Sequence, residues 1–210
     1  MRLRRFLWWV LAVHAFAVAA YGIAVLAVPV VRAPFVRERV LVVPLALYMH
    51  LLGGSIALAI GPFQFLARLR ARHLTWHRWM GRAYLVSVVC GGLGGFRLAF
   101  ISQAGLIAHS GFATLAIVWL FTAARGYQRI RAGDDVDHRR WMIRNYSLTF
   151  AAVTLRTLLG PTIAFGVPFD PAYSAIAWLS WVPNLIVAEW WVVRRTAGSV
   201  PSASARSALS

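Results

Sequence analysis

Six long apolar stretches, roughly 6–31, 40–66, 80–102, 105–124, 142–164 and 172–193, alternate along the chain with short arginine-bearing segments. About 20 mostly apolar residues suffice to cross a bilayer as a helix, so each stretch is predicted to be a membrane span. The first follows Arg2, Arg4 and Arg5 and contains Ala15-Phe16-Ala17-Val18-Ala19-Ala20, which resembles a secretory leader. Its apolar run outlasts the core of a typical signal, so a retained helix is expected. The predicted fold is all-α: a polytopic membrane protein with six transmembrane helices. Residues 1–195 form one domain, and the Ser/Ala-rich segment 196–210 is read as a disordered tail.

Composition sharpens this picture. Of the 210 residues, 60% are hydrophobic and 13% charged, against about 25% charged in soluble domains. The net charge is +16, and all 22 basic residues are arginine. An arginine-only set suggests nucleic acid, but here the arginines sit between apolar runs, so a nucleic-acid partner is excluded and the lipid bilayer is the expected one. Seventeen arginines fall at the N-terminus, in 67–82, in 125–144 and from Arg194 onward; only Arg32, Arg37 and Arg39 occupy the other side. This asymmetry predicts both termini inside. Trp8, Trp9, Trp76, Trp79, Trp141, Trp190 and Trp191 fall near the inner helix ends, where amphipathic rings are favoured. The single cysteine, Cys90, excludes a disulfide framework.

A repeat of about 60 residues organises the middle. His77-Arg78-Trp79-Met80-Gly81-Arg82-Ala83-Tyr84 recurs as His138-Arg139-Arg140-Trp141-Met142-Ile143-Arg144-Asn145-Tyr146. Each copy is preceded by an intramembrane histidine, His50 or His109, and followed by an intramembrane arginine, Arg97 or Arg156. Spans two to five are therefore expected to form a four-helix core of two repeated hairpins, about 45–102 and 105–164, with the outer two spans peripheral. At 1.5 Å per residue, His50 lies about 27 Å from Arg68 and His109 about 24 Å from Arg125, so matching depths are predicted. Arg97 and Arg156 fall roughly 22 and 18 Å from Arg82 and Arg144 on the same count. His77 and His138 pair at the inner face.

Intramembrane ionisable groups are functional candidates, and arginine needs an acceptor. Spans two to five contain no carboxylate, so the partner must be a ligand, lipid or Glu189. Haem b suits that shortage: neutral imidazoles can be axial ligands and guanidiniums can hold propionates. His50, Gly54, Ala57 and Gly61 share one face, and Gly91, Gly92, Gly94 and Gly95 lighten the third span, leaving room for a flat macrocycle. The same glycines also suit a helix–helix contact face, the two motifs suit headgroup anchoring, and His50 and His109 suit interhelical hydrogen bonding. His14 and His73 lack repeat partners and read as packing or loop residues. Asp134, Asp135 and Asp137 offset local positive charge. From His138 to Arg156 is five full turns, so the two share a face on an unbroken helix; from His77 to Arg97 is about 200°.

Several motifs together resemble a known family. These are Gly61-Pro62-Phe63-Gln64-Phe65, the two histidine–arginine–tryptophan motifs, 147–156, and 181–190 with Asn184 and Glu189. They resemble domain-of-unknown-function family 2306, predicted bacterial membrane proteins without an established activity. The resemblance implies a bacterial inner membrane. The helix and histidine pattern looks, more loosely, like the ascorbate-type transmembrane cytochrome b proteins. That likeness implies an outer haem on His50 and His109 and an inner haem on His77 and His138, with Arg97 and Arg156 on the outer propionates.

The first expectation is thus a haem-binding transmembrane electron-transfer protein, an oxidoreductase with one or two haems and a quinone or small redox partner. The competing expectation is a haem-free small transporter, or a lipid- or anion-binding membrane protein using Arg97 and Arg156. A subunit with no ligand is the third.

Overall fold

The computed structural model describes residues 2–102 and 104–197. Among these the chain is helical without a strand. Helix α1 runs Arg2–Ala27, followed by a 3-10 turn and the short α2, Pro34–Val42; α3 is Pro44–Gln64, α4 Ala67–Arg72 and α5 Leu74–Ala99. Then come α6, Gly105–Arg131; α7, Asp135–Thr149; α8, Ala151–Ala164; α9, Phe169–Leu179; and α10, Val182–Ala197. Helix α10 reaches Ala197, and the segment expected over 196–210 as a disordered tail lies, from residue 198, outside the described residues.

Five helices among the described residues are long and apolar enough to cross a membrane: Phe6–Ala27, Pro44–Gln64, Gly105–Arg131, Asp135–Ala164 and Phe169–Arg194. Helix α5 is as long, at 26 residues, but Arg78, Arg82, Arg97 and four central glycines dilute its hydropathy.

Two of the expected spans are interrupted, each for a local reason. At Phe150 the Thr149 hydroxyl donates back to the Asn145 carbonyl at 3.0 Å, a bond that competes with the backbone ladder and bends helices. The phase argument linking His138 to Arg156 assumed an unbroken helix and therefore fails. At Ser180–Trp181 the chain turns because Pro183, within the first turn of α10, cannot donate a backbone hydrogen bond to α9. Helix α5, by contrast, runs unbroken from before His77, so Arg97 faces away from His77.

Helices α3, α5, α6 and α7 form a ring, each packed on the next, and α7 closes it against α3. Helix α1 lies outside α3, and α9 and α10 lie outside α6, α7 and α8. The α3–α5 contact is glycine-mediated: a Cβ on Gly53 would come within 2.5 Å of the Ser87 carbonyl, and one on Gly94 within 2.4 Å of Ala46 O. The Tyr146 ring fills the notch at Gly61. Most of these small residues serve helix contact, so backbone and side chain occupy the space at Gly61, Gly91, Gly92, Gly94 and Gly95, while Gly54 alone of the set is open. For orientation, the end carrying Arg68, Arg129 and Arg131 is called the basic end, and the opposite one the far end.

Candidate functional site

The ring is closed at its centre by neutral polar groups. Tyr84 Oη donates to Asn145 Oδ1 at 2.7 Å and lies 2.9 Å from Thr149 Oγ1. Trp119 Nε1 donates to the same Thr149 oxygen at 2.8 Å. Asn145 Nδ2 donates to the Trp119 carbonyl at 2.8 Å and to Thr122 Oγ1 at 2.9 Å. All these residues are buried, and every amide and hydroxyl here has a partner. A satisfied network in a low-dielectric interior fixes helix register and offers no group to a ligand. Sequence reasoning missed it, although an asparagine and a tyrosine inside apolar spans were the available signal.

The histidines are distributed differently from the expectation. His50 Nδ1 donates to the Gly91 carbonyl of α5 at 2.9 Å, and its ring lies where a Gly95 side chain would be. His109 Nε2 donates to the Ser102 carbonyl at 2.6 Å, in the turn joining α5 to α6. Gly91 lies eight residues before the end of α5 at Ala99, about 12 Å along its axis, and Ser102 lies beyond that end. His50 and His109 are thus bonded at unequal heights. The depth count miscarried because α6 continues past Arg125 to Arg131, whereas α3 stops at Gln64, before Arg68. A single iron needs both imidazoles at a common point, and the packing around His50 and His109 does not fit a haem held between them.

At the basic end, His77 and His138 each lie in the first turn of their helix, near enough for their charges to interact. His138 Nδ1 donates to the Gly126 carbonyl at 2.8 Å, while His77 Nδ1 is buried with no hydrogen-bond partner among the described residues. Burial, then the charge of Arg70, then His138 and Arg78 hold the His77 pKa below its ordinary value. No group of three or more histidine, cysteine or acidic residues that could hold a metal occurs among the described residues.

Glu189 does not neutralise Arg156. It forms a two-point pair with Arg144, whose Nη2 donates to Oε2 at 2.8 Å and whose Nε donates to Oε1. The Arg144 guanidinium also lies 4.8 Å from the Trp141 ring centre. Asn184 instead ties α10 to α7 and α8, donating to Thr154 Oγ1 at 2.9 Å and to the Ser147 carbonyl at 3.3 Å. Asp134 caps α7 through the Asp137 backbone N–H, and Asp137 bridges Arg129 and Arg140 at 3.2 Å each. His14 bonds its own helix, at the Val10 carbonyl.

Arg156 is left in the far half with a different company. Its Nη1 donates to the Ala152 carbonyl at 2.9 Å, and its guanidinium stands 5.3 Å from the Tyr21 ring centre. His50 lies within electrostatic reach of it, as does Tyr173, which also feels Arg39. Contact geometry places Tyr21 of α1 against Arg156 of α8. Among the described residues no carboxylate pairs with Arg156. Arg97 is not part of this cluster; it is exposed near the end of α5. Chemically, Arg156 is a permanent cation beside a phenol, without a carboxylate counter-charge among the described residues, while the single N–H of a neutral His50 is already given to Gly91 O. The tyrosines and Arg39 were not anticipated, because sequence gives depth along a helix but not which neighbours it faces.

Comparison with known proteins yields one family. No curated protein matches the chain, and no solved structure does. A family model described as a predicted membrane protein, DUF2306, matches residues 47–192. The match covers α3, apart from its first three residues, through most of α10, and with it both histidine motifs and Arg156. The chain belongs to that membrane-protein family, domain-of-unknown-function family 2306.

Proposed function

We propose that this is a six-span bacterial inner-membrane protein, with both termini cytoplasmic, that binds the anionic group of a membrane-dissolved molecule at Arg156. Helix α5 is the sixth crossing: packed between α3 and α6, it shields its glycines from lipid. The seventeen-to-three arginine asymmetry supports the orientation. The ring of α3, α5, α6 and α7 accords with two repeated hairpins.

One observation carries the functional reading. Arg156 lies half-buried in an apolar span with a backbone carbonyl and tyrosine rings around it and no carboxylate. An arginine in that setting costs several kcal/mol unless its charge is met, and an incoming phosphate or carboxylate meets it through two parallel N–H bonds. Tyr21 is substantially exposed, so the approach is lateral, from the bilayer. The ligand class is therefore an amphiphile with an anionic head.

The test is binding in detergent, read as thermal stabilisation by a short-chain phosphatidic acid, with glycerol phosphate as the free-anion control. Stabilisation of the wild type that falls about tenfold in apparent affinity in Arg156→Gln, and less in Arg156→Lys, supports the reading. Equal stabilisation of Arg156→Gln, or none of the wild type, rejects it.

The haem reading retains one supporting observation. His50, His109 and His138 each tie one ring nitrogen to a backbone carbonyl, the arrangement that orients metal-binding imidazoles. After the height mismatch of His50 and His109, it rests on His77 and His138. A Soret band from protein expressed with ample haem, lost in His138→Ala, would favour it over the anion-binding reading; no band would reject it.

A further inference from the structure

We propose that a second site, independent of Arg156, seats the phosphate of a glycerophospholipid in the cleft between α7 and α10 at the basic end. The cleft encloses about 360 Å³ and is lined by Asp137, Arg140, Trp141, Arg144, Val192 and Val193. Its charged groups are arranged with spare donors. Arg144 commits Nε and Nη2 to Glu189, which leaves Nη1 unused. Arg140 commits Nη1 to Asp137 at 3.2 Å, and the other edge of its guanidinium has no hydrogen-bond partner among the described residues. Each carboxylate oxygen in the cleft already accepts from an arginine, so the remaining donor capacity belongs to the cations. Phosphate oxygens are acceptors without donors, and guanidinium matches them in geometry and charge.

The occupant is a lipid rather than a free anion because of what continues from the cleft. Ile186, Trp190 and Val193 recur at i, i+4 and i+7 on α10, exposed at 62%, 51% and 61%. This apolar stripe runs from the cleft along the helix toward the membrane interior. The Arg194 guanidinium stacks 4.0 Å from the centre of the Trp190 ring, an arrangement suited to the interface between headgroups and acyl chains. A phosphate between Arg140 and Arg144 therefore places an acyl chain along Ile186, Trp190 and Val193.

Native mass spectrometry of the full chain in mild detergent tests this, with dioleoyl phosphatidylglycerol as probe. The wild type is expected to retain one lipid whose affinity falls about tenfold in Arg140→Gln, where Asp137 keeps Arg129 as its partner. Val193→Asp, which leaves the arginines intact, should weaken retention as well, whereas Arg97→Gln, exposed near the far end of α5, should not. Retention equal to wild type in both Arg140→Gln and Val193→Asp overturns the proposal. So does displacement of the lipid by excess inorganic phosphate, which would make the cleft a free-anion site. Loss in Arg156→Gln alone would assign the retained lipid to the other cluster.

Discussion

Two adjacent glycines on α3 should respond to the same substitution in opposite ways. A Cβ at Gly53 would lie 2.5 Å from the Ser87 carbonyl oxygen and 2.6 Å from the Gly91 nitrogen, both backbone atoms of α5. A Cβ at Gly54 would meet nothing within 4 Å. Ordinary carbon contacts need roughly 3.5 Å, so Gly53→Ala forces the helices apart by nearly 1 Å. That separation is felt along the whole contact, because Gly91 and Gly94 pack on α3 equally closely. Overpacking of this kind costs typically 1–3 kcal/mol, and without water to drive helices together, close packing is a main source of their association. Taking about 3 kcal/mol for the clash and about 1 kcal/mol regained from alanine's better helix propensity, Gly53→Ala should lose about 2 kcal/mol. Gly54→Ala should gain up to ~1 kcal/mol. Reversible unfolding in mixed detergent–SDS micelles reads both. Equal losses in the two variants, or a neutral Gly53→Ala, would refute the close α3–α5 contact. They would also reopen the space that a macrocycle beside His50 requires.

Three further outcomes follow from the hydrogen bonds and charges. Asn145→Leu removes the acceptor of Tyr84 and the donor to Trp119 O and Thr122; it should cost about 3 kcal/mol in the same unfolding assay, since each buried group left unmet costs about 1–3 kcal/mol. Because the His77 pKa is held below its ordinary value by burial and neighbouring positive charge, the folded protein binds this proton less readily than the unfolded chain. Stability should therefore be full above about pH 6.5 and decline as pH falls below it, and His77→Gln should flatten that slope. A double-mutant cycle should couple Glu189 to Arg144 by about 1 kcal/mol, a value reduced by the exposure of the carboxylate, and to Arg156 not at all; coupling to Arg156 would contradict the pairing.

Five of the six expected spans were legible because fitness to cross a bilayer is a local property of length and hydropathy, which a single stretch of chain displays by itself. The place of His77 and His138 in the first turns of α5 and α7 was legible for a related reason: each motif follows a short arginine-bearing connection that opens a helix. The heights of His50 and His109 were not, because the count used flanking arginines as a common ruler. Arg125 lies inside α6 and Arg68 beyond the end of α3, so the two rulers began at different depths. The partner of Glu189 was not legible either. Sequence placed it near a helix end, but the rotation of α10 decides between Arg144 and Arg156, and that rotation is fixed by Asn184 bonding to α7 and α8.

The intramembrane polar groups differ in how completely they are answered, and that difference, rather than residue type, is what supports the proposed role of Arg156. The central amides and hydroxyls answer one another. Arg144 is answered by Glu189, and His50 and His109 by backbone carbonyls. Arg32 and Arg39, at the far end, are answered by the carbonyls that end α1 and α5 and by Phe35 O in α2. Residue type alone would rank these arginines and histidines as equal candidates, because each is costly in hydrocarbon. Once the bonds are assigned, most of that cost is already offset within the fold. Arg156 differs: a single carbonyl bond and the face of a tyrosine compensate a guanidinium only in part. On the proposed reading, the residual charge, unmet by any carboxylate among the described residues, is met by a group from the bilayer that is both negative and soluble there.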